Sequence, residues 1–167
     1  AFLVSCIENG ESSGAFAVGR FDQYLWPFWQ ADRATGVTRE ELVEQIGCFW
    51  VKLNEFAPRG LATAVLNLTI GGSLADGSDA TNDLSYACLE LMHDFRSVTP
   101  SLSVRWHPRI DQEFFRRAVA LATEGYGQPA FYGDPAAIKA MINAGVDHQD
   151  AVNVVPGGCV ELGVQAC

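Results

Sequence analysis

The chain has 167 residues, 49% of them hydrophobic, enough for one domain with a sizeable core. Its formal net charge of −9, with only 11 Lys and Arg, leaves no basic stripe for nucleic acid or an anionic membrane surface, so a small neutral or cationic ligand is the better expectation. No run approaches the ~20 apolar residues of a membrane span, Ala1-Phe2-Leu3-Val4 lacks the basic flank of a signal peptide, and Cys6, Cys48, Cys88, Cys159 and Cys167 form no CxxC pair, which favours reduced cytoplasmic thiols over a disulfide or metal framework.

Along the chain, Phe21 to Arg33 reads as a helix that tolerates Pro27 near its start. Thr38 and Glu41 have capping-box spacing, and Leu42, Val43, Ile46, Phe49, Trp50 and Leu53 recur at helical intervals to Asn54. Pro58-Arg59-Gly60 marks a seam between this helical first third and a remainder in which strands and helices alternate. Ala64 to Ile70 is a predicted strand, Thr81 to Phe95 a helix, and Leu102 to Trp106 a second strand. Asp111 is placed to cap a helix reaching Gly125, Pro129 to Tyr132 is a short strand, and Asp134-Pro135 reads as a cap with an N1 proline before a helix ending at Gly145. Val152 to Val155 is the last predicted strand. Such alternation predicts an α/β fold with a mostly parallel sheet or barrel, in which ligands gather at the carboxyl ends of strands.

The last of those ends is Pro156-Gly157-Gly158-Cys159. Two glycines let the backbone turn sharply and present the thiol, and in an extended segment Glu161 would project to the same side as Cys159. Taken alone the signal is weak, and a buried structural cysteine beside a loop carboxylate accounts for the pair better. His93, His107 and His148 fall in different elements, so a Cys-His hydrolase lacks an oriented base. Asp76-Gly77-Ser78-Asp79 lacks the closing Glu of a calcium loop and reads as turn chemistry, and Gly71-Gly72 lacks the rest of a phosphate-binding fingerprint. Ser103, Arg105 and His107 alternate onto one strand face, where structural hydrogen bonding and substrate contact are both open. Tyr24, Trp26, Phe28 and Trp29 read as core or as an interface.

Four stretches together resemble the pyruvate formate-lyase and glycerol dehydratase family of glycyl radical enzymes: Gly19 to Leu25; Asn67 to Gly72 continuing through Asp76 to Asn82; Ser101 to Arg105; and Gly158-Cys159-Val160-Glu161. The resemblance covers nearly the whole chain. It implies a fragment of a ten-stranded α/β barrel whose inner loop carries a catalytic cysteine, matched here by Cys159. A glycyl radical on a C-terminal segment, installed by an S-adenosylmethionine-dependent iron–sulfur activating enzyme, would take the hydrogen of Cys159, and the thiyl radical would then abstract hydrogen from substrate.

Pyruvate formate-lyase itself is expected to carry two adjacent cysteines, whereas Cys159 stands between Gly158 and Val160. The Cys-x-Glu arrangement instead resembles the dehydratases and other eliminating lyases, with Glu161 as general base. An arylacetate decarboxylase or formate acetyltransferase-like carbon–carbon enzyme is the alternative, and a non-catalytic fragment or interaction domain the alternative of another class. The segment bearing the radical has no counterpart here, and Ala1 and Ala166-Cys167 make unusual ends, so residues 1–167 are expected to be one partial barrel domain, truncated at both ends and inactive by itself. No cofactor or metal is expected to bind the chain directly. The expected partners are a small-molecule substrate, the activating enzyme and a second copy in a homodimer, in the cytoplasm of an anaerobic bacterium or a microcompartment within it. The substrate-binding residues are left unassigned.

Overall fold

The computed structural model describes residues 15–54, 65–158 and 160–165. The chain runs β1 (Ala15–Arg20), α1 (Phe21–Tyr24), α2 (Trp26–Ala34), α3 (Arg39–Asn54), β2 (Val65–Gly71), α4 (Asp83–Phe95), β3 (Ser101–Trp106), α5 (Gln112–Ala122), β4 (Ala130–Gly133), α6 (Asp134–Asn143), α7 (His148–Ala151), β5 (Val154–Gly157) and β6 (Glu161–Val164). Strands β1-β2-β3-β4 form one sheet in that order, every pair parallel, as the alternation of strand and helix predicts. The last two strands form a separate antiparallel hairpin.

The capping box at Thr38 forms as expected: the Glu41 amide donates to the Thr38 hydroxyl, and the Glu41 carboxylate accepts from the Thr38 amide at 2.8 Å. Asn82 and Ser85 cap α4 reciprocally, and Asp111 caps α5 by accepting from the amides of Glu113 and Phe114. Arg39 ties α3 to α4 through Asp83 and Glu90, each at 2.9 Å.

Four expectations change. The helix expected over Phe21 to Arg33 breaks at Leu25 into α1 and α2, because Pro27 sits in the first turn of α2. Strand β1 precedes it, so the first third is not purely helical; its register with β2 slips between Ala17 and Gly19, where Gly19 has φ +91°. The last strand begins at Val154, not Val152, after the short α7. Asp134 is the first residue of α6, not its cap: Gly133 holds the cap position and no side chain caps the helix. The Asp134 carboxylate is committed elsewhere.

At the central strands, β2 and β3, both faces of the parallel sheet are buried, and they differ in chemistry. Leu66, Leu68 and Ile70 of β2, with Leu102 and Val104 of β3, are fully buried. Most of them join one core with Trp50, Leu84, Ala87, Met92 and Phe114 from the helices. The alternate residues, Asn67, Thr69, Ser103 and Arg105, are also buried, on the side that bonds to the hairpin region through Asn67 and Arg105. Parallel sheets covered by helices on both faces present apolar runs on both. Here one face is polar and takes β5 against β1 and β2.

Candidate active site

The polar face is built from the carboxyl ends of the strands. Arg20 closes β1, Gly71 closes β2, Arg105 stands next to last in β3, and Asp134 follows β4 directly. Arg20, Asp22, Arg105 and Asp134 are all buried, none more than 4% exposed. Burial of charge on this scale is tolerated only when each group is paired and hydrogen-bonded. Arg105 Nε donates to Asp134 Oδ1 at 2.7 Å, and the amide and hydroxyl of Ser73 donate to Asp134 Oδ2 at 2.6 and 2.7 Å. Asp22 Oδ2 accepts from the Gly71 amide at 2.7 Å and from the Ser85 hydroxyl at 2.5 Å.

The two guanidinium groups converge on the segment that enters the hairpin. Arg105 Nη1 donates to the Val152 carbonyl at 2.8 Å, and Arg20 Nη1 donates to that same carbonyl at 3.1 Å and to Asn153 Oδ1 at 3.2 Å. The other end of the Arg20 fork donates to the Gly71 and Ser73 carbonyls. Burial, and then the charge of Arg105, lower the Arg20 guanidinium to about 10, while burial raises the Asp22 carboxyl against the pull of its donors.

The hairpin is fastened at three further points. Gln165 Oε1 accepts from the Arg20 amide at 2.7 Å, and the Gln165 amide donates to the Asn153 carbonyl. At Gly19, where φ +91° calls for a glycine, a Cβ would stand 2.6 Å from Gln165 Oε1 and would push that side-chain amide off the Arg20 amide. At the turn, Asn67 Nδ2 donates to the Gly158 carbonyl at 2.5 Å, with Gly158 itself at φ +55°.

Cys159, the first candidate catalytic residue, lies outside the described residues; its neighbours Gly158 and Val160 are in the turn between β5 and β6. Glu161, the second, opens β6 and is exposed, and its carboxylate accepts from the Val160 amide at 3.1 Å. Because Val160 is in the turn, Glu161 belongs to the returning strand and not to an extension of β5. The carboxylate nevertheless stays beside the turn.

Ser103, Arg105 and His107 are all buried, and Arg105 and His107 serve as structural donors or partners: His107 Nε2 meets Asp79 Oδ1 at 3.0 Å. Asp76 and Asp79 accept from Ser78 and Thr81 two residues on, which is turn chemistry. His93 lies on α4 beside Asp94, and His148 begins α7, the short helix that precedes β5. Among the cysteines described, Cys48 is exposed on α3 and Cys88 is buried on α4, where burial pushes its thiol well above the ordinary range. No helix among the described residues is long and apolar enough to cross a membrane.

Sequence reasoning missed Arg20, Asp22, Asn67, Asp134 and Gln165 as members of this site. A signal was present in the first two resembling stretches, which lock together: Gln23 Nε2 donates to the Ala80 carbonyl, Asn82 Nδ2 to the Asp22 carbonyl, and the Gly71 amide to the Asp22 carboxylate.

Residues 1–166 match the pyruvate formate lyase-like family. The trans-4-hydroxy-L-proline dehydratase of Clostridioides difficile is 35% identical over 160 residues, covering 89% of this chain and 20% of the relative. The probable dehydratase YbiW of Escherichia coli is 36% identical over 178 residues, covering 98% of this chain and 22% of that protein. A crystal structure of a glycyl radical enzyme from Archaeoglobus fulgidus superposes with a TM-score of 0.88 at 34% identity, over 96% of this chain and 22% of that one. The chain thus spans about a fifth of the length of the relatives it matches. A match along nearly every residue, with the same arrangement of strands and helices, makes the chain a member of the pyruvate formate lyase-like family of glycyl radical enzymes.

Proposed function

We propose that the full-length protein containing this chain is a glycyl radical lyase that eliminates water, an amine or another leaving group from a small substrate, with Cys159 and Glu161 as its catalytic residues. The observation that carries the reading is the position of Glu161: it opens β6 directly after the Gly158 and Val160 turn residues that flank the cysteine in sequence, its carboxylate bonded to the Val160 amide, in a chain whose relatives are dehydratases. A glycyl radical on a segment outside this chain, installed by an activating enzyme, supplies the unpaired electron.

In this reading the Cys159 sulfur takes a hydrogen atom from a substrate carbon, forming an S–H bond and leaving a carbon radical. Glu161 accepts the proton of the hydroxyl or amine on that carbon as the neighbouring leaving group departs with its bonding pair. The leaving group takes that proton from the carboxyl group, so that water or a free amine is released. The product radical recovers a hydrogen atom from the Cys159 thiol, which returns the sulfur to its starting state. The chain's own contribution is position and exclusion of solvent. The protein acts as a homodimer in the cytoplasm of an anaerobe, or in a microcompartment there, and meets its activating enzyme as a transient partner.

The test is anaerobic expression of the full-length protein with its activating enzyme, electron paramagnetic resonance, and a screen of trans-4-hydroxy-L-proline, 1,2-diols, amino alcohols and hydroxysulfonates. A glycyl doublet is expected, with turnover abolished in Cys159→Ser and reduced at least a hundredfold in Glu161→Gln, which keeps an acceptor for the Val160 amide but not the basicity. Full turnover by Cys159→Ser would overturn the reading. Carbon dioxide from an arylacetate, with no elimination product, would move the protein to the decarboxylases.

A further inference from the structure

We propose that Arg20 and Arg105 are positioning residues for the Cys159 turn: two buried guanidiniums from two different strands grip one backbone carbonyl, Val152, and so set where the hairpin stands on the sheet. This rests on the reading of Cys159 as the radical-bearing thiol.

Among the described residues, the hydrogen bonds of both guanidiniums reach the stem of the hairpin at Val152 and Asn153. Each is held independently of the hairpin before it reaches it. Arg105 is fixed by Asp134, which Ser73 holds through both its amide and its hydroxyl; Arg20 is fixed by the Gly71 and Ser73 carbonyls. Val152 therefore receives two donors whose own positions are set by the carboxyl ends of β1, β2 and β3, and Asn153 takes a third from Arg20. The residues that follow, Val154 and Val155, are buried in β5 and lead directly to Gly157 and Gly158.

Energetics favour a geometric role over a stabilising one. Two like charges held this close to one carbonyl carry mutual repulsion and a desolvation cost, and well-packed apolar residues generally stabilise such a site as well or better. What an arginine adds is a rigid planar fork that satisfies acceptors in fixed directions, which a lysine cannot reproduce. Hydrogen transfer between a sulfur and a carbon tolerates little displacement; a misplacement of about 1 Å can cost a factor on the order of 10². A stem fixed to three strands meets that demand.

The experiment uses the full-length protein and the single variants Arg20→Lys and Arg105→Lys. The unactivated, reduced protein is treated anaerobically with iodoacetamide and the labelling of each cysteine is followed by mass spectrometry. Exposed Cys48 serves as the reference for reagent and buried Cys88 as the reporter of global opening. The expected result is a change of at least threefold in the Cys159 labelling rate, with Cys48 unchanged and Cys88 unlabelled. After activation, the glycyl radical yield stays at the wild-type level, while kcat falls about tenfold at unchanged KM on the substrate identified by the screen. Wild-type labelling of Cys159 and wild-type kcat in both variants would overturn the proposal, even with Cys159→Ser inactive. If Cys159→Ser is active, the catalytic reading fails and the labelling result still decides whether the arginines position the turn. Should Cys88 become labelled in both lysine variants, Asn153→Ala decides, because it removes one acceptor of Arg20 and keeps both guanidiniums: a severalfold change at Cys159 supports the proposal and none overturns it.

Discussion

Asn67 illustrates how one side chain can join two layers of the molecule. It is 3% exposed on the polar face of β2, and its amide nitrogen donates to the carbonyl of Gly158, immediately before the cysteine. Removing the donor leaves that carbonyl facing a buried wall, a loss of about 1–2 kcal/mol for a single buried hydrogen bond. Asn67→Ala is expected to lower stability by that amount in urea unfolding. Asn67→Asp is expected to cost more at neutral pH, because a carboxylate would point its lone pairs at the carbonyl, and to recover part of the loss once it is protonated. Equal losses for the two variants at neutral pH would mean that the side chain turns away and the contact is dispensable.

At the scale of elements, legibility followed the range of the signal. The α3 helix could be read because Thr38 and Glu41 define its start locally, and α5 because Asp111 does. Strand β1 could not: Ala and Gly have weak strand propensity, and the slip at Gly19 breaks the alternation that marks a strand. Asp134 was misread for the opposite reason. Asp-Pro is a strong local cap signal, but the carboxylate is claimed by Arg105, 29 residues earlier in the chain. The alternation of Ser103, Arg105 and His107 was visible in sequence, whereas the partners that make Arg105 structural were not. The same distinction yields a prediction from two glycines. Gly36, after α2, has φ +98° and open space within 4 Å of where a Cβ would stand, whereas at Gly72, with φ +87°, a Cβ would stand 2.9 Å from Arg105 Cβ and Nε. Gly36→Ala is expected to cost roughly 1–2 kcal/mol of backbone strain alone. Gly72→Ala adds overpacking against an arginine that cannot move aside, for a total of about 3 kcal/mol or more, read as the difference between the two variants' urea midpoints.

For the whole molecule, the distribution of carboxylates sets how stability varies with pH. Burial raises the Asp22 carboxyl above its ordinary 3.8, so the folded protein binds that proton more readily than the unfolded chain. Its contribution is fully present below 3.8 and is lost as pH rises through the raised value. Glu41, Asp76, Asp111 and Glu113 run the other way: hydrogen bonds, or for Glu113 its bond to Arg117 first, lower them below 4.5 or 3.8, so their contributions are present at neutral pH and lost on acidification. The net charge of −9 adds a repulsion that acid relieves. The urea midpoint is therefore expected to hold or rise from pH 7 to about 5 and to drop below about 4. Asp22→Asn is expected to flatten the upper limb and leave the acid fall intact. Asp111→Ala is expected to lose about 1 kcal/mol at pH 7 with its helix cap, and to converge on the wild type in acid, where the wild-type cap is protonated. A midpoint that follows the same course from pH 7 to 5 in the wild type and in Asp22→Asn would mean that the Arg20 charge and the Gly71 and Ser85 donors hold Asp22 ionised despite its burial. The polar face would then balance two guanidiniums against two carboxylates, and the burial of its charges would be compensated within the network itself.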